Sequence, residues 1–116
     1  MSSPRRDRDY LGDIVEASER VLAYAAELDI DSFLSDTRTQ DAILRNLQVI
    51  GEATKRISPS LRAAHPRIPW IQMAGLRNRI VHDYFGVDLE VVWVIIADEL
   101  PGLLRDIETI MRDQSV

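Results

Sequence analysis

Apolar residues in this chain recur three, four and seven positions apart along most of its length. Leu11, Ile14, Val15, Leu22 and Ala25 form one such series, and Ile43, Leu47, Ile50, Ala53 and Ile57 a second. A third runs through Leu89, Trp93, Ile96, Leu100, Leu103, Ile107 and Ile110. A stripe with this period buries one face of an α-helix and leaves the other in water. No stretch shows the apolar–polar alternation of a half-buried strand, and no internal repeat is visible. The expectation is an all-α fold.

Punctuation residues set the expected boundaries. Helices are predicted over about 7–28, 39–57 and 69–84, with a last one from Leu89 through Ile110. Pro69 suits a first helical turn, Gly86 a helix end and Asp88 an N-cap. Pro101 falls inside the last helix and is expected to kink or split it. "DIDSFLSD" is expected to form a turn with a single helical turn capped by Asp31. "SPSLRAAHPRIP", with three prolines, reads as a connector with one turn over 60–64. Short connections favour neighbours that run antiparallel, so the architecture is an antiparallel bundle of four to five helices.

The 116 residues make one domain, 1–116. A domain of this size buries roughly two thirds of its unfolded-chain surface, and pairing with a second copy adds useful burial. Without cysteine, disulfides and thiolate chemistry are excluded. No apolar run approaches the ~18 residues of a membrane span. The "MSSPRRDRDY" start lacks the apolar core of a secretory signal, so a cytoplasmic location is expected. The net charge of −5 argues against a generic nucleic-acid binder. That charge is unevenly placed: residues 1–37 sum to −5, 38–82 to +6 and 83–116 to −6. A locally basic centre can hold a phosphate backbone in an acidic protein.

The basic block ends in "LRNRIVHDYF", residues 76–85, which holds one of only two histidines. On a continuous helix, Arg77, Asn78, His82 and Tyr84 share one side, while Met73, Leu76 and Ile80 face the core. Asn78 and His82 would then be hydrogen-bonding neighbours, and Arg79 and Asp83 a surface ion pair. Histidine titrates near neutral pH and can move a proton to or from an RNA hydroxyl. Arginine can hold a phosphate and stabilise its transition-state charge. Arg77 and His82 are therefore the candidate catalytic residues, with Asn78 in support.

"GLRNRIVHDYFGVD" resembles the signature of the HEPN superfamily, Arg-x4-6-His with a polar residue after the arginine. More narrowly it resembles the HepT toxins, whose pattern is Arg-x4-His-x-Tyr, met by Arg77, Asn78, His82 and Tyr84. "ILRNLQVIGEATKRIS", "HPRIPW" and "DLEVVWVIIADELPGLL" are also similar to that family, in the same order. The resemblance implies a HEPN-like bundle that forms a homodimer, with higher assembly left open. It implies a metal-independent ribonuclease with no cofactor, whose RNA substrate is cleaved where two motifs meet at the dimer cleft. It further implies a type VII toxin–antitoxin pair with an MntA-like nucleotidyltransferase antitoxin. In such a pair the antitoxin silences the toxin by AMPylation of the motif tyrosine, here Tyr84.

Two other readings of the same residues stand beside this one. A non-catalytic, nucleotide-binding partner subunit of a nucleotidyltransferase would use the same polar cleft, and a dimeric helical scaffold would use none of it. Elsewhere, His65 is expected to be a loop residue. Glu52 is expected to pair with Arg45, Arg56 or the motif arginine. Arg45 and Asn46 are candidates to reach phosphate, and Trp70 and Trp93 are expected in the core or a dimer contact.

Overall fold

The computed structural model of the chain describes residues 5–82 and 86–113, except for the side chain of His82. The three apolar series become three long rods. Helix α1 spans Asp7–Ala25 and α3 spans Thr37–Lys55. The third rod runs from α7, Leu89–Val94, through a π-helical turn, Ile95–Glu99, into α8, Leu100–Asp113. Helix α1 packs on both α3 and α8. Leu11, Ile14 and Val21 meet Ile43, Leu47 and Ile50 and the third rod's Val92, Leu100 and Ile107, all essentially inaccessible to solvent. Burying an aliphatic side chain of this size stabilises the fold by about 1.5–3 kcal/mol. The all-α expectation therefore holds, and its apolar stripes are the core.

Short elements join the rods. Helix α2, Ile30–Leu34, is capped by Asp29, whose carboxylate accepts from Ser32 N–H at 2.8 Å; Asp31 lies inside the helix. Helix α4 spans Pro59–Ala64, with Ser58 as N-cap and Pro59 in the first turn. The Asp7 carboxylate accepts from Ser58 N–H at 2.8 Å and so ties the start of α1 to α4. Arg62 donates to the Thr54 carbonyl at 2.6 Å and holds α4 under the end of α3.

One further expectation is corrected and one is refined. The predicted helix over 69–84 is two short helices, α5, Trp70–Ala74, and α6, Leu76–Ile80, separated by Gly75. The chain then turns extended, and β1, Val81–His82, pairs antiparallel with β2, Gly86–Val87, with Val81 opposite Val87 and His82 opposite Gly86. Pro101 does not split the third rod. It lacks the N–H that an α-helix would bond to Ala97, and its ring crowds that carbonyl. The turn before it widens to π spacing and the helix continues. Among the described residues no helix is long and apolar enough to cross a membrane.

Candidate active site

Helix α3 is the floor on which the motif is built. Helices α5 and α6 both pack on it. Gly51 lies at this contact, where a Cβ would sit 3.5 Å from the Met73 carbonyl, an ordinary van der Waals distance. Leu76 and Ile80 are buried, as the helical pattern required, which turns Arg77 and Asn78 outward. Helix α6 ends at Ile80, whose carbonyl accepts the Asp88 N–H at 2.7 Å instead of a bond from a further helical turn.

The helical arrangement expected for the whole motif therefore stops short of His82. Arg77 and Asn78 are helical, whereas His82 sits on extended backbone two residues past the helix end. The i,i+4 helical relation between Asn78 and His82 does not exist. Tyr84 and Asp83 lie outside the described residues, as does the His82 side chain. Val81, which is β-branched, and Gly86, with a positive φ of 74°, are both compatible with the extended pairing that replaces the helix.

Arg77 opens onto a cavity of about 470 Å³ between α3 and the hairpin, walled by Leu44, Gln48, Glu52, Lys55, Val81 and Val87. Among the described residues no carboxylate pairs with Arg77. An exposed guanidinium without an internal counter-ion is available to an anionic ligand.

The other motif arginine is fully engaged. Arg79 donates to both oxygens of Glu99, at 2.7 and 2.8 Å. This hydrogen-bonded contact holds the Glu99 carboxyl below its ordinary range and raises the Arg79 guanidinium further. Glu99 is the last residue of the π turn, so the third rod grips the motif segment between Arg77 and His82. The sequence had assigned Arg79 to Asp83 by helical spacing. The signal for Glu99 lay in "DELP", where a proline two residues on widens the turn that presents the glutamate.

The remaining candidates separate clearly. Asn46 is buried and donates to the Ala42 carbonyl at 2.9 Å, so it does not reach the cavity. Glu52 pairs with Lys55 at 3.3 Å rather than with an arginine. Arg45 is exposed on the neighbouring face of α3. His65 sits half-buried in the connector, where its carbonyl accepts from Trp70 Nε1–H at 2.9 Å. Trp70 is core, and Trp93 packs on Phe33 with ring centroids 5.2 Å apart. Among the described residues no three His, Asp or Glu side chains converge as metal ligands.

Comparison with known proteins identifies the family. The family described as "Ribonuclease HepT-like" matches residues 14–110. A Thermococcus cleftensis protein named "Probable ribonuclease HepT" is 40% identical, over 93% of this chain and 98% of its own. Two Methanocaldococcus jannaschii proteins that carry the name "Putative RNase" are 37% and 32% identical, over 95% and 93% of this chain and 92% and 99% of their own. No solved structure matches significantly. With its family match running from the first helix to the last and taking in the Arg77–His82 segment, the chain belongs to the HepT-like ribonuclease family.

Proposed function

We propose that this protein is a metal-independent ribonuclease that cuts RNA with Arg77 and His82 at a homodimer cleft. The observation that carries the reading is Arg77, exposed, without a counter-ion among the described residues and seated over a cavity in a chain of ribonuclease family. Arg77 holds the scissile phosphate and stabilises the extra charge of the transition state. One His82 imidazole takes the proton from the 2′-hydroxyl as its oxygen bonds to phosphorus. The P–O5′ bond breaks, and a second His82 imidazole gives a proton to the leaving 5′-oxygen. The products are a 2′,3′-cyclic phosphate and a 5′-hydroxyl. One chain carries a single motif histidine, so the second proton carrier comes from a second copy. Asn78 supports the site by orienting rather than by transferring a proton.

In the same reading the protein is the toxin of a type VII pair, in the cytoplasm, with an MntA-like nucleotidyltransferase as antitoxin. The Tyr84 phenol gives up its proton and attacks the α-phosphate of ATP, and pyrophosphate leaves, which fixes an adenylyl group on the motif two residues after His82. The modification adds bulk and negative charge to the motif, which opposes the binding of an anionic substrate. The test is incubation of the purified chain with RNA in EDTA and mapping of the ends. Cyclic phosphate termini support the mechanism, and 3′-hydroxyl termini that require a divalent cation contradict it. Growth arrest on expression of the chain alone separates the toxin from a silent nucleotide-binding subunit.

A further inference from the structure

A second cavity, of about 490 Å³, lies between α1 and α3 and is lined by Tyr10, Asp13, Arg45, Gln48, Glu52 and Arg56 among others. Gln48 and Glu52 also wall the Arg77 cavity, so the two hollows adjoin across a single ridge of α3. Each acid here already has a cation. Asp13 pairs with Arg5 at 3.0 Å, and Glu52 pairs with Lys55 at 3.3 Å. Arg45 and Arg56 are exposed and have no ion pair among the described residues. The groove thus has an uncompensated charge of two arginines in a chain whose net charge is −5.

The spacing of these arginines is informative. They are eleven positions apart, which on an α-helix is about three turns, so they share one stripe about 16 Å apart. The exposed Gln48 lies between them with amide donors for a sugar or phosphate oxygen. A single row of guanidiniums suits one strand of a phosphodiester backbone.

We propose that the α1–α3 groove is a backbone-binding track for single-stranded RNA, in which Arg45 and Arg56 hold phosphates flanking the one bound by Arg77. The proposal rests on the ribonuclease reading for its biological meaning, but it makes a binding claim that can be measured without cleavage. The track lengthens the substrate that the enzyme grips without touching the reacting bond. Arg45 and Arg56 are therefore binding residues and not catalytic ones.

The experiment uses the full chain and a 2′-O-methyl single-stranded RNA of about twelve nucleotides, long enough for a track of this kind and unable to supply the attacking hydroxyl. Binding is read by fluorescence anisotropy across a salt titration. Each phosphate contact on a single strand contributes about 0.7 to the slope of log affinity against log salt. Arg45→Gln/Arg56→Gln should lower that slope by about 1.4 and weaken binding on the order of tenfold. Arg67→Gln/Arg105→Gln makes the same change in net charge elsewhere and should leave the slope in place. Arg45→Lys/Arg56→Lys should restore it. On cleavable RNA the groove variant should raise KM and spare kcat.

An unchanged slope in the groove variant overturns the proposal, as does a wild-type chain that binds no RNA. A groove variant that changes sedimentation state and not the RNA slope overturns it too, and assigns the groove to a contact between proteins. A wild-type chain that binds through Arg45 and Arg56 yet cuts no RNA leaves the track standing and removes the ribonuclease reading.

Discussion

The Arg79 guanidinium and the Glu99 carboxylate meet face to face in two hydrogen bonds of 2.7 and 2.8 Å, although twenty residues separate them in the chain. Arg79 lies between Arg77 and His82, and Glu99 ends the π turn. The pair is half exposed, so solvent screening limits its stabilising effect to about 1 kcal/mol or less. Under the proposed mechanism its consequence for catalysis is larger, because a misplacement of about 1 Å at a reacting group can cost on the order of a hundredfold in rate. Glu99→Gln is expected to lower kcat by about tenfold or more, with KM nearly unmoved and the melting transition only slightly lowered. The charge-swapped double variant Arg79→Glu/Glu99→Arg should recover much of the rate. Equal losses in the single and swapped variants would show that the pair does not position the motif.

The same pair sets a pH dependence of stability. The hydrogen bonds and charge of Arg79 hold the Glu99 carboxyl below its ordinary value of 4.5. A carboxyl with a depressed folded-state pKa stabilises the fold fully above its unfolded value, and that stability is lost as pH falls through the folded value. The stability difference between wild type and Glu99→Gln should therefore be constant from neutral pH down to about pH 5 and shrink below it. Asp29 and Asp36, held low by hydrogen bonds from Ser32 and Thr39, add to the same acid limb. Denaturant titrations of both proteins across this range measure the effect. A difference that grows on acidification contradicts the assignment.

Apolar periodicity was enough to find the three rods, because helix α3 and its neighbours bury the very residues that recur at helical spacing. It was not enough at the motif. Met73, Leu76 and Ile80 keep helical period up to the point where α6 stops, and nothing in that period tells the chain to stop. The stop comes from tertiary pairing: Val81 meets Val87 across the hairpin, and the Ile80 carbonyl takes the Asp88 N–H. The residue types at Arg77 and His82 were legible without the structure, whereas their relative geometry was not. Glu99 was hidden because its partner is chosen by a π turn, which depends on a proline two residues further on.

Gly86 gives a direct test of the hairpin. Its φ is +74°, and a Cβ added there would meet nothing within 4 Å. Gly86→Ala therefore introduces backbone strain without a steric clash, at about 1–2 kcal/mol. Because Gly86 is opposite His82 in the register, the variant should lose cleavage activity out of proportion to its stability. Gly86→Asn, which tolerates positive φ better, should be milder in both. Thermal melts and initial cleavage rates on the same preparations decide it. Full activity in a Gly86→Ala protein with an unchanged melting temperature would remove the hairpin from the site.

Arg77→Ala and His82→Ala are expected to abolish RNA cleavage and toxicity and leave the helical fold intact. Loss of a general acid–base group costs about 10²–10⁴ in rate, and loss of a preorganised charge at the phosphate about 10²–10³. Asn78→Ala should be milder. Because Arg77 and Asn78 are exposed, circular dichroism of Arg77→Ala and Asn78→Ala should match wild type. Cleavage by either Arg77→Ala or His82→Ala at near wild-type rate would place the chemistry elsewhere.

The last prediction concerns the second copy. Val81 and Val87 are paired across the hairpin, and each leaves more than a third of its surface in water beside the Arg77 cavity. Side chains directly opposite on one face of a hairpin lie together, so the two valines form one apolar ridge. The half-buried Leu44 adds to it from α3. A two-fold contact brings a patch against its own image, and under the proposed mechanism such a contact here would bring the two His82 positions together. Light scattering should report a dimer at micromolar concentration. Val81→Glu/Val87→Glu sets four carboxylates against each other in such a contact and should give a monomer that keeps its helical content but cleaves no RNA. A wild-type monomer that cleaves RNA would show that one chain supplies both proton transfers. A valine variant that stays dimeric and active would move the contact to another face.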